Sequence, residues 1–353
     1  MYEKDPLNAL QAMRHAQLIA FAPFVFQACR LLRDKGVLRW LKEHPKGSTL
    51  EEVAAGCGLT RYGAQVLLES GLSAFAVVRS EEGAWKLART GQFLLEDAMT
   101  RVNLDFTQDV CYEGLFRLEE ALDQERPAGL EVFGKWPTIY EGLMRLPPKA
   151  LESWLSFDHF YSDNSFPQAL REVFALKPAR LLDVGGNTGK WALACLRHDP
   201  DVRVTIADLP GQLAKARENM DAAGLGHRFT PHPMDLLDPA QPLPPGQDAI
   251  WMSQFLDCFS EEQVSTILRR AAAALAPGGS AWIMETLWDR QEHEAGALCL
   301  HQTSLYFTAM ANGNSKFFHG PDLFRLVEAA GLRVAEVRDN LGWGHSLLRC
   351  TLA

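Results

Sequence analysis

The fold is decided by the stretch Leu181-Leu182-Asp183-Val184-Gly185-Gly186-Asn187-Thr188-Gly189-Lys190. Its first four residues are apolar apart from one Asp, which is typical of a buried parallel strand. The glycines predict a tight turn, because glycine accepts a positive φ and lets the backbone approach a ligand closely. A helix is predicted from Lys190 to Arg197. A glycine-rich turn between a strand and a helix is therefore the first candidate ligand site.

Strands and helices continue to alternate after this turn. Such alternation predicts a parallel sheet with helices on both faces, which is a doubly wound, Rossmann-like α/β domain. The predicted strands lie at 202–208, 249–252 and 280–285, the helices at 213–223 and 261–275, and a final antiparallel pair at 332–338 and 346–352.

The region before residue 105 has a different pattern. Apolar residues at helical spacing predict two helices within 8–43, and caps at Ser48 or Thr49 and at Thr60 begin two more. Residues 76–87 are typical of a β-hairpin, so the order predicts a mainly helical winged-helix domain. The candidate recognition helix at 61–69 carries one Arg and one Glu. We therefore favour a packing and dimerisation module over a DNA reader.

Composition narrows the class of ligand. The 353 residues carry a formal charge of −9, whereas nucleic-acid binders usually show a basic excess. The seven cysteines lack the paired spacings of zinc sites or disulfide frameworks, so we expect no metal site and reduced thiols in the cytoplasm. The chain opens without a basic signal region and has no apolar run of about 18 residues, so no membrane span is expected. A small molecule is the expected partner.

Three regions are expected along the chain. They are a winged-helix dimerisation domain at 1–104, a helical connector at 105–170 and the α/β domain at 171–353. Aromatic side chains are frequent between residues 105 and 165. They either pack as core or line an apolar cleft for a small molecule, and the sequence leaves both interpretations open.

Three aspartates are predicted at successive strand ends, where open α/β sheets bind ligands. Asp183 suits a cationic amino-acid group and would repel a pyrophosphate, which favours S-adenosylmethionine over a dinucleotide. Asp208 is placed to accept hydrogen bonds from both ribose hydroxyls, and Asp235 from the adenine amine. An NAD-dependent oxidoreductase is accordingly disfavoured.

With these motifs, the chain resembles the plant-type O-methyltransferase family, which includes bacterial members acting on phenolic natural products. The family's loop reads D-V-G-G-G-x-G, and Asn187 takes the third glycine position here. Asn is the least costly replacement for glycine at a positive φ. The resemblance implies a homodimer through the N-terminal domain and a small aromatic substrate. The residues assigned to the cofactor are Asp183, Gly185, Gly186, Gly189, Asp208, Leu209, Asp235, Leu236, Ser253 and Gln254.

The family's catalytic motif is similar to residues 253–262, with one important departure. Asp257 replaces the general-base histidine, and Cys258 replaces the Asp that follows it. The family's glutamate that orients the base is missing as well, since the matching segment reads Lys316-Phe317-Phe318-His319. An ordinary Asp and a phenol differ by about 6 pKa units, so Asp257 needs a pKa raised by burial to act as the base.

Several interpretations of the catalytic site remain open. The base is Asp257, His301 or His319, or else an activated aromatic carbon accepts the methyl group. Each histidine also has a structural interpretation, His301 as a semi-buried side chain and His319 as a helix cap. Glu285 ends a predicted strand and is expected to orient the acceptor. A catalytically silent scaffold that binds S-adenosylmethionine is the remaining alternative.

Overall fold

The computed structural model describes residues 2–353. The chain divides into two compact units, Met1–Gln108 and Asp109–Ala353. This division lies close to the expected end of the dimerisation domain at residue 104. The separation of a connector from the α/β domain stays a prediction, because the second unit contains both.

The first unit is mainly helical and contains one antiparallel pair of strands. The predicted helix pair and hairpin are present, and the side chains of Thr49 and Thr60 accept backbone N–H groups at the starts of the two helices. The elements are α1 (Ala9–Ala20), α2 (Ala22–Asp34), α3 (Val37–Glu43), α4 (Leu50–Gly56), α5 (Arg61–Ser73), β1 (Val77–Arg79), β2 (Trp85–Leu87), α6 (Arg89–Glu96) and α7 (Ala98–Phe106).

The prediction of two helices within 8–43 is wrong, because this region forms three. Pro23 stands in the first turn of α2 and has no N–H with which to extend the preceding helix. Gly36 adopts a φ of 80° between α2 and α3, a conformation that ends a helix and favours glycine.

The apolar surface of the first unit is divided between a core and an exposed face. Leu32, Leu38 and Leu68 are fully buried in the core. By contrast, α1 has no buried residue. Among residues 2–353, no single helix is long and apolar enough to cross a membrane, and α1 and α2 meet that test only as a pair bent by 75°. The exposed apolar side chains at α1 and the start of α2 are Leu10, Met13, Ile19, Phe21 and Phe24.

The second unit opens with short helices and continues as an α/β domain. Its longer elements are α8 (Leu118–Gln124), α9 (Ile139–Gly142), α10 (Pro148–Ser162), α11 (Phe166–Phe174), β3 (Arg180–Val184), α12 (Lys190–His198), β4 (Arg203–Asp208), α13 (Pro210–Ala222), β5 (Phe229–Pro233), β6 (Gln247–Ser253), α14 (Glu261–Ala274), β7 (Leu275–Glu285), α15 (Glu294–Tyr306), α16 (Gly320–Ala329), β8 (Leu332–Leu341) and β9 (His345–Leu352). Short 3₁₀ or π segments lie at Thr107–Cys111, Gly114–Arg117, Ala128–Val132, Leu143–Arg145, Asp163–Ser165, Gly226–Arg228, Leu256–Cys258, Trp288–Arg290 and Phe307–Ala311.

The seven strands of the second unit form one sheet in the order β5-β4-β3-β6-β7-β9-β8. The first five in this order run parallel, and β9 pairs antiparallel with both β7 and β8. The predicted doubly wound α/β fold and its final antiparallel pair are confirmed. Strand order reverses between β3 and β6, and a crevice for ligands forms at such a switch point.

Apolar side chains cover both faces of this sheet. Leu182, Ile250 and Ile283 belong to the core on one face, and Leu181 and Trp251 belong to the core on the other. Strands buried on both faces explain the nearly continuous apolar runs in the sequence. Polar residues are left at the carboxyl ends of β3, β4, β6 and β7, where the candidate site lies.

Candidate active site

The glycine-rich turn after β3 has the backbone conformation that its sequence requires. Gly185 and Gly189 have φ values of 69° and 81°, and Asn187 takes a φ of 50°. The expectation that Asn replaces glycine at a positive φ is therefore confirmed. A Cβ atom at Gly185 would lie 2.3 Å from the ring of Phe255, and one at Gly186 would lie 2.5 Å from Oδ2 of Asp183. Only glycine fits at these two places without displacing a neighbour.

Asp183 is a buried carboxylate with unused hydrogen-bonding capacity. The residue is 2% exposed, and its Oδ2 atom has no hydrogen-bond partner. Burial, assisted by the charge of Asp208, raises the pKa of Asp183 to about 8. A buried acceptor without a donor is costly unless a ligand supplies that donor. Asp183 therefore fits the ammonium group of an amino-acid moiety.

Asp208 ends β4 beside the same turn. Its Oδ2 accepts the N–H of Asn187 at 2.8 Å, and its Oδ1 accepts the N–H of Leu209 at 2.6 Å. Burial raises the pKa of Asp208, and these two N–H groups oppose the rise. Each carboxylate oxygen keeps a second lone pair, so the side chain can still accept from two hydroxyl groups. The side chain of Leu209 is 43% exposed and can cover a ligand there.

Asp235 is placed differently from the sequence prediction. It does not end the third strand, because β5 ends at Pro233, which is the last partner of Asp208 in the ladder. Asp235 is exposed in the following loop, and its Oδ1 accepts the N–H of Leu237 at 2.9 Å. This is the local turn that Asp commonly forms with its own backbone. The neighbouring Leu236 is buried.

A tight turn after β6 carries the candidate base. Ser253 is the last residue of the strand, and Gln254 follows with a φ of 45°. The N–H of Gln254 donates to the carbonyl of Met284 at 2.9 Å, while its own Oε1 is buried without a partner. Leu256–Cys258 then forms one 3₁₀ turn.

Glu285 stabilises this turn by hydrogen bonds to its backbone. It is fully buried at the end of β7, and its Oε1 accepts the N–H groups of Phe255 at 3.0 Å and Leu256 at 2.8 Å. Burial raises the pKa of Glu285 well above its usual range. The contacts of Glu285 are thus with the backbone of the turn, whereas the sequence suggested a contact with the acceptor.

Asp257 lies within the turn and is 3% exposed. Burial raises its pKa to about 7, and the nearby charge of Asp158 adds to the rise. The S–H of Cys258 donates to Oδ1 of Asp257 at 3.5 Å. The burial that a general-base role demands of Asp257 is therefore present.

The aromatic region contributes polar groups around the same turn. The hydroxyl of Tyr140, in α9, donates to Sγ of Cys258 at 3.1 Å. Nε1 of Trp154, in α10, donates to the hydroxyl of Tyr306 at 2.7 Å. Sequence reasoning placed Tyr140 among the aromatic residues that pack as core or line a cleft, and assigned it no contact with Cys258. No local signal was available for it, because 118 residues separate it from Cys258.

The two candidate histidines gather around another side chain, Trp288. The ring of His319 stacks on Trp288 with centroids 4.6 Å apart, and the ring of His301 lies 4.8 Å away at a tilt. The ring nitrogens of His319 each lie 3.7 Å from a carboxylate, of Asp289 and of Asp322. His319 occupies the position before α16, but its side chain makes no capping hydrogen bond. Among residues 2–353, no group of three or more His, Cys, Asp or Glu residues is arranged to hold a metal ion.

Comparison with known proteins gives matches to both halves of the chain. A family model described as a Dimerisation2-like domain matches residues 13–85, and one described as an O-methyltransferase domain matches residues 165–333. Demethylspheroidene O-methyltransferase of Cereibacter sphaeroides is 30% identical over 74% of this chain and 67% of its own length. L-tyrosine C(3)-methyltransferase of Streptomyces lavendulae is 26% identical over 87% of this chain and 82% of its own. The solved structure of the S-adenosylmethionine-dependent methyltransferase SibL has a TM-score of 0.72 and 26% identity, covering 95% of this chain and 98% of that one.

The strand order, the glycine turn and these similarities define the class of protein. It is an S-adenosylmethionine-dependent methyltransferase with a Rossmann-like domain. More narrowly, the chain belongs to the plant-type and bacterial O-methyltransferase family with an N-terminal dimerisation domain. The fold class, the cofactor and the family expected from the sequence are confirmed.

Replacing Gly185 with Ala is expected to weaken binding of S-adenosylhomocysteine by about tenfold or more and to lower the free energy of unfolding by about 1–3 kcal/mol. The physical reasons are the positive φ and the clash with Phe255. Calorimetric titration and thermal unfolding measure both effects. Gly224→Ala is the matched control, because Gly224 has a φ of 72° but no atom within 4 Å of its added Cβ. Equal cofactor affinity in both variants would contradict the prediction.

Proposed function

We propose that this enzyme methylates a small aromatic hydroxyl compound at oxygen, with Asp257 as the general base. The observation that carries the proposal is the burial of Asp257 in the turn after β6, with a pKa raised to about 7. A base at this pKa lies about 3 units below a phenol, or roughly 4 kcal/mol at 1.36 kcal/mol per unit. An ordinary Asp would face about twice that barrier. Proton transfer to Asp257 is thus feasible at neutral pH.

The residues at the ends of successive strands suit the methionine, ribose and adenine parts of the cofactor in turn. Asp183 with Gly185, Gly186 and Gly189 would hold the methionine end, since the turn offers close backbone approach and a buried carboxylate. The ribose hydroxyls would bind Asp208 beside Leu209, and the adenine would lie by Asp235 and Leu236, with Ser253 and Gln254 across the crevice.

S-adenosylmethionine supplies a methyl group made electrophilic by its sulfonium sulfur, so the protein must orient the acceptor's nucleophilic atom and help to deprotonate the acceptor. Asp257 would take the hydroxyl proton of the acceptor. Glu285 would keep the base in place by fixing the backbone of Phe255 and Leu256. Tyr140, which contacts Cys258 of the turn, and Tyr306, whose hydroxyl accepts from Trp154, would line the pocket of the acceptor within the second unit.

Methylation at carbon is the second candidate function. The relative from Streptomyces lavendulae, which matches 87% of this chain, is named as a C(3)-methyltransferase of L-tyrosine. A phenol activates the ring carbons next to its hydroxyl, and Asp257 would serve that reaction by accepting a proton from the same hydroxyl. After methyl transfer the ring carbon would lose its own proton and the oxygen would regain one, which restores the aromatic phenol. The position of the transferred methyl group separates the two functions.

The test is a screen of phenolic acceptors with S-adenosylmethionine labelled in its methyl group. We expect labelled product from at least one phenol, with carbon NMR of the product showing a methoxy group. A ring methyl group would replace the first proposal by the second. Binding of S-adenosylhomocysteine without turnover on any acceptor would favour a silent scaffold and overturn both.

The first unit is proposed to form a homodimer through α1 and α2. This proposal rests on the Dimerisation2-like match and on the exposed apolar side chains of α1 and α2. A DNA-binding role is disfavoured, because the guanidinium of Arg61 in α5 is already paired with Glu51 at 2.9 Å.

The double variant Ile19→Asp and Phe24→Asp is expected to be monomeric, because charges at an apolar interface cannot be buried without partners. Light scattering after size exclusion measures the mass. Phe116→Asp is the control, since Phe116 is 86% exposed in the other unit. A wild-type protein that is already monomeric, or a double variant that stays dimeric, would contradict the proposed interface.

A further inference from the structure

Asp257 stands at the end of a short chain of hydrogen bonds. The hydroxyl of Tyr140 donates to Sγ of Cys258 at 3.1 Å, and the S–H of Cys258 donates to Oδ1 of Asp257 at 3.5 Å. Both distances fall within the usual range for bonds that involve sulfur. The three side chains therefore form one ordered sequence of donors, which begins in α9 and ends on the candidate base.

The direction of this chain is fixed by the protonation of its members. Burial raises the pKa of the Cys258 thiol well above its usual range, so the sulfur keeps its proton and can donate it. Burial likewise raises the pKa of Tyr140, so its hydroxyl remains a donor. Asp257 is the only member that accepts without donating when ionised.

The backbone of Cys258 is anchored as firmly as its side chain. Nδ2 of Asn312 donates to the carbonyl of Cys258 at 2.5 Å, and Asn312 is itself bonded to the hydroxyl of Ser315. Glu285 fixes the two N–H groups just before Asp257 in the same turn. The position of Sγ relative to the carboxylate is thus determined from both sides.

We propose that Cys258 and Tyr140 are positioning residues, which hold the carboxylate of Asp257 in the orientation that accepts the proton of the substrate. The proposal rests on the proposed function of Asp257 as the base. The terminal torsion of Asp is broad, so a carboxylate without an anchor does not present one defined oxygen. With Oδ1 bound to the thiol, Oδ2 is the oxygen directed to the acceptor.

The choice of a thiol has a chemical reason. A cation or several N–H groups on the carboxylate would hold it more firmly, but they would also stabilise its charge and make it a weaker base. An S–H group is a weak donor. It orients Asp257 while lowering its pKa less than a cation would, and the hydroxyl of Tyr140 orients the thiol in turn. A histidine base with a carboxylate partner achieves orientation differently, which explains why positions 257 and 258 both depart from the family's pattern.

Infrared spectroscopy tests the contacts without any acceptor. The S–H stretching band lies in a region where other protein vibrations are absent, and subtraction of the Cys258→Ala spectrum isolates the band of Cys258. We expect this band to shift in Tyr140→Phe and in Asp257→Asn, and to stay unchanged in Tyr62→Phe, which loses the hydroxyl of an exposed side chain in α5 of the first unit. A band that moves in neither variant, or in only one of them, would contradict the proposed chain of hydrogen bonds from Tyr140 to Asp257.

Turnover on the acceptor found in the screen tests the consequence. We expect Cys258→Ala and Tyr140→Phe each to lower kcat by about tenfold or more with little change in the affinity for S-adenosylhomocysteine. The kcat of the double variant should be no lower than that of the worse single variant, because both substitutions interrupt the same chain of hydrogen bonds. Cys258→Ser restores a donor and should recover most of the activity. The acid limb of the pH profile should move to higher pH in Cys258→Ala, since the thiol lowers the pKa of Asp257.

The outcomes separate this inference from the proposed function. Loss of activity in Asp257→Asn together with wild-type kcat and pH profile in Cys258→Ala would remove the positioning role and leave the base in place. Full activity in Asp257→Asn would remove the proposed base and the positioning role with it. Cys350→Ala, which truncates a fully buried cysteine in β9, controls for loss of packing.

Discussion

Asp257→Asn is expected to lower kcat by about 10²–10⁴-fold, the range for removal of a general base. The amide has nearly the shape of the carboxylate, so the turn and its bonds to Glu285 should be preserved. Affinity for S-adenosylhomocysteine should change by less than about twofold, because Asp257 is assigned to the acceptor side. Single-turnover kinetics and calorimetric titration measure the two quantities.

The pH profile follows from the same residue. A base acts when ionised, and burial raises the pKa of Asp257 to about 7. The wild-type kcat should therefore rise with pH through about 7 and level off above it, and this limb should vanish from the residual activity of Asp257→Asn. His301→Gln and His319→Gln are the comparison variants. A profile abolished by either histidine substitution and kept in Asp257→Asn would assign the base to that histidine.

Asp183→Asn is expected to weaken the binding of S-adenosylhomocysteine by about 100-fold or more, since a buried charge partner of the ligand's ammonium is lost. Stability of the free protein should move in the opposite direction. Asp183 has a pKa of about 8 in the folded protein, above the ordinary value of about 3.9 expected after unfolding. The folded state thus holds a proton that the unfolded chain releases, and stability is lost as pH rises from about 4 to 8.

The neutral amide avoids this loss, so Asp183→Asn should stabilise the free protein at pH about 9 by roughly 1–3 kcal/mol and have little effect near pH 4. Calorimetric unfolding at the two pH values gives the difference. Asp238→Asn supplies a control of opposite sign, because hydrogen bonds from the N–H of Ala240 and the side-chain amide of Gln241 lower the pKa of Asp238. Unchanged cofactor affinity in Asp183→Asn would contradict the assignment.

Local sequence patterns were sufficient to predict the sheet and the cofactor turn. The run from Leu181 to Gly189 predicts its own structure, because an apolar strand is followed by residues that accept a positive φ. Breaks between elements were harder to place. Pro23 and Gly36 divide the N-terminal region into three helices although its apolar spacing is continuous. Asp235 was predicted to end a strand because apolar residues continue around it, but the strand ends earlier, at Pro233.

The parts of the site that sequence reasoning missed depend on contacts between distant segments. Glu285 was recognised as a residue at a strand end, but its bonds to the N–H groups of Phe255 and Leu256 follow from the pairing of β6 with β7. The bond between Tyr140 and Cys258 joins residues that no periodic pattern relates. Burial of Asp257 was required by the proposed chemistry, and only the packing of the second unit shows that it is present.

The hydrogen bonds of Glu285 to the backbone have a consequence for how such enzymes diversify. Glu285 recognises two main-chain N–H groups, which every residue except proline possesses. The hydrogen bonds of Glu285 to the turn therefore do not depend on which side chain stands at position 257. An ancestral lineage can exchange one acid or base for another at this position without rebuilding the backbone of the turn, so only the side chains that orient the new base have to change with it. The same tolerance makes the position a natural starting point for laboratory evolution of new acceptor chemistry.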